Sequence, residues 1–453
     1  MSKVTALLSL LLFKELLALS GNFWHITDLH WDGTYNLTNH PEYICASSGN
    51  RPATDAGKFG HYVCDSPWSL INSSVYAMKA ILPDPDFIVW TGDDTPHVPN
   101  EDLGEEEVLH IISTLTHLLN EVFPDTKVYS ALGNHDYHPK NQLPAAPNRI
   151  YDQIADLWRD WLDPESRETF KKGGYYTEKL LNQTGLRMIV LNTNLYYDQN
   201  DLTKGMYDPA GQFSWMDQVL RDAANNNEKV YIVGHIPPGF FEKKRNKAWF
   251  TPKFNKIYLD LIQNYHSVIL GQFFGHHHTD SFRMFYNSEG SPISTMFLGP
   301  GVTPWKTTLP GVKNGANNPG IRAVEYDAET LQVKDIVTYY LNLSRANAAR
   351  AGWEKEYRLT ESFRVPDASP ASMHQVLKRI ANEHCYLQKY YEFNSVSYDL
   401  TECGADCRVD HVCAAREVDF DKYKSCLADG GATAMHGGLI PMILFAIAIW
   451  SLH

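Results

Sequence analysis

The sequence predicts an α/β fold with helices outside the sheets and a small helical, disulfide-containing subdomain at the C-terminal end. Short β-rich runs alternate with helical patterns, and the runs end in polar, glycine-marked segments. Beyond about Arg358 the pattern becomes helical and rich in cysteine. Such alternation is typical of α/β sheets. In these sheets ligands bind beyond the carboxyl ends of the strands.

Six β-rich runs give the order of the expected strands. They are residues 23–27, 87–91, 128–132, 188–192, 230–233 and 268–273. The helical patterns between them cover residues 69–81, 105–122, 150–161, 211–224 and 253–264. Four later runs are predicted to be strands that close a second sheet, at residues 284–286, 294–298, 322–327 and 333–340.

Length and composition predict one large catalytic domain with a smaller appendage. The chain has 453 residues, of which 43% are hydrophobic, and this allows a large buried core. We expect a signal peptide at 1–20, the catalytic domain at 21–357, the cysteine-rich appendage at 358–429 and a removed signal at 430–453. The net charge of −13 argues against binding to a nucleic-acid polymer, which favours a basic protein. We expect a monomer.

The N-terminal residues have the pattern of a secretory signal peptide. Lys3 supplies the charged start, residues 4–13 the apolar stretch, and residues 18–20 a small-residue cleavage site. A buried amphipathic helix is the alternative, because two charged residues follow the apolar stretch. Four glycosylation sequons agree with export, and their asparagines are Asn36, Asn72, Asn182 and Asn342.

The C-terminal end carries a second targeting pattern. Residues 439–452 are apolar and uncharged, but this run is shorter than the roughly 20 residues needed to span a bilayer. Small residues and a short spacer precede it, which is the order of a GPI-attachment signal. We predict attachment near Gly430. A short core helix at the C-terminus is the alternative.

The seven cysteines fall into two groups near the two ends of the chain. In an exported protein they indicate disulfides rather than a zinc–thiolate site. Spacing alone leaves the connectivity open. Our predicted pairs are Cys45–Cys64, Cys403–Cys407 and Cys413–Cys426, with Cys385 as the remaining thiol.

Metal-ligand residue types follow five of the predicted strands. In chain order these are Asp28 and His30, then Asp93, then Asn134 with His135 and Asp136, then His235, and finally His276 and His278. Most follow a glycine, which permits a sharp turn. Five such segments form a specific signal, because scattered surface histidines would not coincide with strand ends.

These residue types fit a pair of metal ions that hydrolyse a phosphate ester. Two ions about 3.5–4 Å apart hold a phosphoryl group and activate water between them. The predicted ligands of the first ion are Asp28, His30 and His278, those of the second are Asn134, His235 and His276, and Asp93 bridges both. Imidazole-rich ligation favours zinc, manganese or iron, and we expect two Zn²⁺ ions in an extracellular setting.

Three further residues are candidates for catalysis. His135 is the predicted general acid for the leaving oxygen, or the group that stabilises the charge of the transition state, and Asp136 is expected to orient it. His97 is a weaker candidate for a substrate contact, and a surface loop histidine is the equal alternative. His277 is expected to point away from the site.

Two loops are candidates for shaping the pocket. Residues 299–320 form a long Gly-, Pro- and Asn-rich loop, and loops of that length are often functional. Residues 237–250 mix aromatic and basic side chains, and we favour a solvated charge run beside core aromatics for them.

At this point the residues resemble a known family. Asp28-Leu29-His30, Gly92-Asp93, Gly133-Asn134-His135-Asp136, Gly234-His235 and Gly275-His276-His277-His278 match the signature of the calcineurin-like metallophosphoesterases. Residues 24–30, 92–97 and 299–320 resemble more specifically the acid sphingomyelinase group. The resemblance covers residues 23–426, and the C-terminal signal is similar to that of a GPI-linked branch.

The resemblance implies a two-sheet sandwich, two zinc ions and phosphodiester hydrolysis, with His135 as the acid. It also implies a cell-surface protein that influences membrane lipid composition and innate immune (Toll-like receptor) signalling. Acid sphingomyelinase itself carries a saposin domain ahead of its catalytic domain, and none fits between Gly21 and Asp28. We therefore expect small nucleotide-like or headgroup phosphodiesters or pyrophosphates rather than bilayer sphingomyelin.

Two other functions remain open from the sequence. The chain could act mainly as a lipid- or receptor-binding regulator at the membrane, because the anchor signal places it there. It could also be a phosphomonoesterase, because the same pair of metal ions serves both reactions.

Overall fold

The predicted α/β class is confirmed: two six-stranded sheets lie between helices. The structure is a computed structural model that describes residues 20–180, 185–348 and 352–431. The first sheet contains, in spatial order, β12 (Trp353–Arg358), β11 (Val333–Leu341), β10 (Gly320–Asp327), β1 (Ser20–Ile26), β2 (Phe87–Trp90) and β3 (Val128–Ser130). The second contains β4 (Tyr176–Lys179), β5 (Leu186–Val190), β6 (Lys229–Val233), β7 (Ile269–Phe274), β9 (Pro292–Leu298) and β8 (Ser281–Tyr286).

Parallel strands form one half of the first sheet and the middle of the second. β1, β2 and β3 pair in parallel in the first sheet, as do β5, β6, β7 and β9 in the second. The antiparallel strands β12 and β4 lie at sheet edges. The parallel strands therefore deliver their carboxyl ends to one edge of each sheet, as ligand sites in α/β folds require.

Aromatic side chains fill the space between the sheets. The Phe23 ring on β1 stacks on Phe87 of β2 at 4.5 Å and contacts Phe273 of β7 at 5.1 Å. The Tyr231 ring on β6 lies 5.9 Å from Phe23, and its hydroxyl donates to the Leu331 carbonyl at 2.6 Å. This buried layer fixes β1 and β2 against β6 and β7, the four strands whose ends carry most of the predicted ligands.

Twelve helices are present in the described parts of the chain. They are Trp68–Ile81, Glu105–Val122, Arg149–Leu157, Pro164–Gly173, Gln212–Asn225, Pro252–Asn264, Leu343–Ala348, Leu359–Phe363, Pro370–Asn382, His384–Asn394, Ala405–Arg416 and Phe420–Ala428. Glu105–Val122 shows why they form. Three glutamates occupy its first turn, where the helix dipole favours negative charge, and a stripe of apolar residues at helical spacing is buried.

One detail of the predicted sheet organisation and one predicted helix boundary are wrong. The four later strands do not all join the second sheet: β8 and β9 do, whereas β10 and β11 extend the first sheet beside β1. The predicted helix at 150–161 ends at Leu157, because the chain turns at Trp158. Strands β4 and β12 and the helix Pro164–Gly173 were not predicted.

The three predicted disulfides are confirmed, and Cys385 is an exposed free thiol. Cys413–Cys426 joins the two last helices, and Cys403–Cys407 links the segment before the helix Ala405–Arg416 to the first turn of that helix. The C-terminal helices pack against β8 and β9. The boundary expected near residue 358 remains a prediction.

Several predictions fall wholly or partly outside the described residues. The signal peptide, the sequon at Asn182 and most of the segment 430–453 lie there. Of the other sequon asparagines, Asn36 is exposed, while Asn72 and Asn342 are half-buried. No helix within the described ranges is long and apolar enough to cross a membrane.

Candidate active site

The predicted ligands meet at the carboxyl ends of the parallel strands. Asp28 and His30 follow β1, Asp93 follows β2, and Asn134 lies beyond β3. His235 follows β6, and His276 and His278 follow β7. Most of these side chains are buried. The two sheets therefore place all seven candidates along one interface between them.

One group of side chains surrounds the His30 imidazole. Its Nε2 atom lies 3.4 Å from Asp93 Oδ2 and 3.8 Å from Asp28 Oδ1. The His278 Nε2 atom lies 3.5 Å from the same Asp28 oxygen. Thr27 donates its hydroxyl to the other Asp28 oxygen at 2.7 Å. This arrangement brings together the residues predicted to hold the first ion.

A second group surrounds the His235 imidazole. Its Nε2 atom lies 3.1 Å from Asp93 Oδ2, 3.2 Å from Asn134 Oδ1 and 3.3 Å from His276 Nδ1. The same oxygen of Asp93 thus faces a nitrogen in each group. A carboxylate in this position is suited to contact two metal ions.

The tautomers of two histidines are fixed by backbone carbonyls, which can only accept hydrogen bonds. His30 Nδ1 donates to the Thr95 carbonyl, and His235 Nδ1 donates to the Thr91 carbonyl, both at 2.7 Å. Each ring therefore directs Nε2 into the cluster. Metal-binding histidines commonly have this arrangement.

The environment of His30 Nε2 fits a cation. This buried atom has no hydrogen-bond partner among the described residues. Burial holds the pKa of His30 well below its usual range, with His97 acting in the same direction, so the ring is neutral and Nε2 presents a lone pair. The lone pair faces the carboxylates of Asp28 and Asp93, which is unfavourable unless a positive charge lies between them. The residues present therefore fit a binuclear metal site.

Five of the seven candidate ligands have left-handed backbone conformations. Their φ angles are 51° at Asp28, 41° at His30, 63° at Asp93, 71° at His276 and 58° at His278. Non-glycine residues rarely adopt such angles, and the cost is of order 1–3 kcal/mol each. The surrounding fold holds these backbones in the conformation that directs their side chains inward.

Asp136 stabilises the backbone of the site rather than the His135 ring. One of its oxygens accepts from the amides of Gly133 at 2.7 Å and Asp93 at 2.9 Å, and the other from Asp94 at 2.7 Å. The expectation that Asp136 orients His135 therefore needs correction. Its carboxylate fixes the turns after β2 and β3 relative to each other.

His135 and His97 lie beside the first group. The centroid of the His135 ring is 4.9 Å from that of His30 and 4.5 Å from that of His97. Burial lowers the pKa of His135 to about 3, so its imidazole is neutral in the metal-free protein. A ring nitrogen of His97 lies within 4.8 Å of nitrogens on His30 and His278. Both histidines are therefore within the site, and His97 is not an ordinary surface residue.

Asp65 is a site residue that the sequence analysis missed. Its carboxylate accepts from the His97 amide at 2.6 Å and lies 3.0 Å from His97 Nδ1. The Trp305 ring stacks on the His97 ring, nearly parallel to it and with the ring centroids 3.7 Å apart. Asp65 directly follows Cys64 of the first disulfide, which was the one available signal. The aspartate and the indole together fix the His97 ring.

A cavity of about 220 Å³ opens onto the two groups of ligands. Its walls include His135, Trp249 and Trp305, together with Thr307 and Asn317 from the predicted loop 299–320. That loop therefore shapes the pocket, as predicted. In the loop 237–250 the aromatic side chains are buried, but Lys243 lines the cavity rather than joining a solvated charge run.

His277 points away from the ligand groups, as predicted, and joins a buried polar network. Trp249 donates its indole N–H to His277 Nε2 at 2.7 Å, and His277 Nδ1 lies 3.2 Å from Glu242. Glu242 also pairs with the fully buried Arg283. The edge of Trp249 meets the His276 ring at 4.4 Å. The network therefore supports the cavity wall next to a candidate ligand.

Metal affinity is expected to depend on pH through His235. Burial lowers the pKa of this group, but the charge and hydrogen bond of Asp93 outweigh burial and raise it to about 9. Below that pH a metal ion must displace a proton, so apparent affinity should fall about tenfold per pH unit. The loss should steepen below about pH 7, because burial raises the pKa of Asp28 to about 7, and again near pH 4, where His278 also protonates. Zinc titrations of the metal-free protein at several pH values would measure this, and a constant affinity would contradict it.

Comparisons with known proteins agree with this geometry. The family model described as calcineurin-like phosphoesterase matches residues 21–280, and that of the acid sphingomyelin phosphodiesterase C-terminal region matches residues 291–433. A human protein named acid sphingomyelinase-like phosphodiesterase 3b is 59% identical, over 94% of this chain and 94% of its own. A mouse protein of the same name is 60% identical, over 94% and 93%.

A more distant human relative is named cyclic GMP-AMP phosphodiesterase SMPDL3A. It is 40% identical, over 90% of each chain. These matches cover both the strand-end signature and the helical C-terminal part. The chain thus belongs to the calcineurin-like phosphoesterases, among the acid sphingomyelinase-like phosphodiesterases, and is a metal-dependent phosphoric diester hydrolase.

Proposed function

We propose that this protein hydrolyses phosphodiester or pyrophosphate bonds of small nucleotide-like or headgroup substrates at the outer face of the cell membrane. The neutral His30 nitrogen that faces the carboxylates of Asp28 and Asp93 carries the proposal, because it needs a metal ion there. Zinc is the proposed metal, since four of the seven candidate ligands are imidazoles.

The residues of the chain divide into ligands and groups that handle protons. Two bound metal ions supply positive charge for the phosphoryl oxygens and lower the pKa of water. Asp93 would be a ligand at both metal positions. His135 gives a proton to the leaving oxygen. The negative charge of a bound phosphoryl group favours the protonated form of His135 and so acts in the direction that this role needs. Asp65 orients the His97 ring toward the phosphoryl oxygens of the substrate.

The cavity supports a small substrate with a flat group. The indole of Trp305 and the side chain of Trp249 provide aromatic walls beside the candidate ligands. Aromatic walls favour stacking with a nucleobase, and the relative named for cyclic GMP-AMP makes a nucleotide plausible here. The cavity of about 220 Å³ suits a small substrate.

We further propose attachment to the membrane by a GPI anchor near Gly430, as a monomer. The order of small residues, spacer and apolar tail supports the anchor. Loss of the protein from cells after treatment with a phosphatidylinositol-specific phospholipase C would test it, and full retention would contradict it. From that position the protein would influence membrane lipid composition and Toll-like receptor signalling.

A substrate panel with metal analysis tests the proposed activity. Purified protein would be loaded separately with zinc, manganese or magnesium and given a phosphodiester, a pyrophosphate diester, a phosphomonoester and sphingomyelin vesicles. We expect turnover of the first two with zinc and little of the last two. Faster cleavage of the phosphomonoester or the vesicles would overturn the proposed substrate class.

A further inference from the structure

Lys243 is a cation inside the cavity that the proposed hydrolysis does not use. It lies on the loop between β6 and the helix Pro252–Asn264, is half-buried, and lines the same cavity as Asp93, His135 and His276. Among the described residues that line this cavity, it is the one lysine or arginine. Its ammonium has no hydrogen bond or ion pair with the described residues.

The carboxylates nearest to Lys243 are already neutralised or satisfied. Glu242 pairs with Arg283 at 2.5 Å and accepts from Thr279 at 2.6 Å and Asn394 at 2.8 Å. These bonds direct the Glu242 carboxylate into the polar network rather than toward the neighbouring lysine.

Asp399, the other acidic neighbour, is similarly occupied. It accepts from Tyr391 at 2.6 Å and from the hydroxyl of Thr401 at 2.7 Å. Burial lowers the pKa of Lys243, although Glu242 and Asp399 act in the opposite direction. The ammonium therefore has a desolvation cost that its protein neighbours do not offset, which a bound anion would do.

We propose that Lys243 is a specificity-determining residue that binds a second anionic group of the substrate, beyond the phosphoryl group held at the candidate metal site. The class selected is a pyrophosphate diester or another substrate with a second phosphate. This inference rests on the proposed function. It deepens that function by stating that the substrate carries a second negative charge next to the phosphoryl group that reacts.

The same cation disfavours a cationic headgroup. A quaternary ammonium group needs an aromatic surface free of competing positive charge. Trp249 already has the Lys247 ammonium over its ring at 4.4 Å, and Lys243 lines the same cavity. A choline-bearing phosphodiester should therefore be a poorer substrate than one with a neutral or anionic second group.

The test compares Lys243→Met with the wild-type protein on matched substrates. The substrates are p-nitrophenyl thymidine monophosphate, a single phosphodiester, and adenosine diphosphoribose, a pyrophosphate diester. A charge-assisted hydrogen bond corresponds to about a 10- to 100-fold loss of kcat/KM on the pyrophosphate. We expect that loss to lie mainly in KM, with less than about a threefold change on the single phosphodiester.

Lys244→Met is the matched control, since Lys244 is adjacent but does not line the cavity. Lys243→Arg should retain the preference, because it preserves the charge. Binding of inorganic pyrophosphate and inorganic phosphate, measured by calorimetry, gives a readout independent of turnover. Only the pyrophosphate should bind more weakly to the methionine variant.

The outcomes separate this inference from the proposed function. If the ratio of kcat/KM for the two substrates is the same in Lys243→Met as in the wild-type protein, the role of Lys243 is overturned. Wild-type protein that cleaves the single phosphodiester but not the pyrophosphate would also overturn it, while the proposed hydrolase activity stands. Failure of wild-type, metal-loaded protein to cleave either substrate would overturn the proposed function itself.

Discussion

Replacement of Asp93 by asparagine is expected to remove bound metal and to lower phosphodiester turnover by about 10³-fold or more. One carboxylate oxygen lies 3.4 Å from His30 and 3.1 Å from His235, so this side chain serves both ligand groups. An amide keeps the size but removes the negative charge. Metal content and kcat/KM, measured on the same preparation, would check the prediction.

Asp94→Asn is a closely matched control. The neighbouring carboxyl is also buried, but burial and the charges of Asp136 and Asp93 raise its pKa well above its usual range. Its Oδ1 atom accepts the indole N–H of Trp90 at 3.1 Å, which an amide oxygen can also do, so Asp94→Asn should change metal content and turnover little. Full activity and metal content in Asp93→Asn would rule out the bridging role.

His135→Gln is expected to keep both metal ions yet lower kcat by about 10²- to 10⁴-fold, the usual contribution of a general acid. The ring lies beside His30 but is outside the two groups predicted to bind metal. His117, exposed on the helix Glu105–Val122, provides the control His117→Ala. A His135 variant that loses its metal would instead show that the residue is a ligand.

The same variant separates catalysis from a binding role at the membrane. Cells that carry only His135→Gln should show the signalling of cells that lack the protein, if hydrolysis is the function. Normal signalling from a metal-loaded but inactive protein would favour the regulator alternative. Surface amounts of the two proteins must be equal for this comparison.

The strand ends could be predicted because buried parallel strands have a plain sequence signature. β2, with the sequence FIVW, is fully buried and is followed after Thr91 by Gly92 and Asp93. The two missed strands, β4 and β12, lie at sheet edges and are rich in charged and polar residues. Edge strands commonly carry such residues, which prevent pairing with other chains, so their pattern resembles that of loops.

Contacts between distant segments could not be predicted in the same way. Asp65 reaches His97 across 32 residues, and Trp305 comes from a loop more than 200 residues away. Nothing in the spacing of these residues indicates their partner. The role of Asp136 was also misassigned. Its place next to His135 in the sequence suggested that it orients that ring, but its carboxylate oxygens accept hydrogen bonds from backbone amides.

The left-handed conformations at five candidate ligands set a limit on engineering this protein for heat resistance. Glycine at Asp28 or His276 would relieve backbone strain of order 1–3 kcal/mol, and at Asp28 it would also remove the acceptor of the Thr27 hydroxyl. Selection for thermal tolerance alone would therefore tend to replace the residues that bind metal. A useful library would screen hydrolysis and melting temperature together, and leave these positions unchanged.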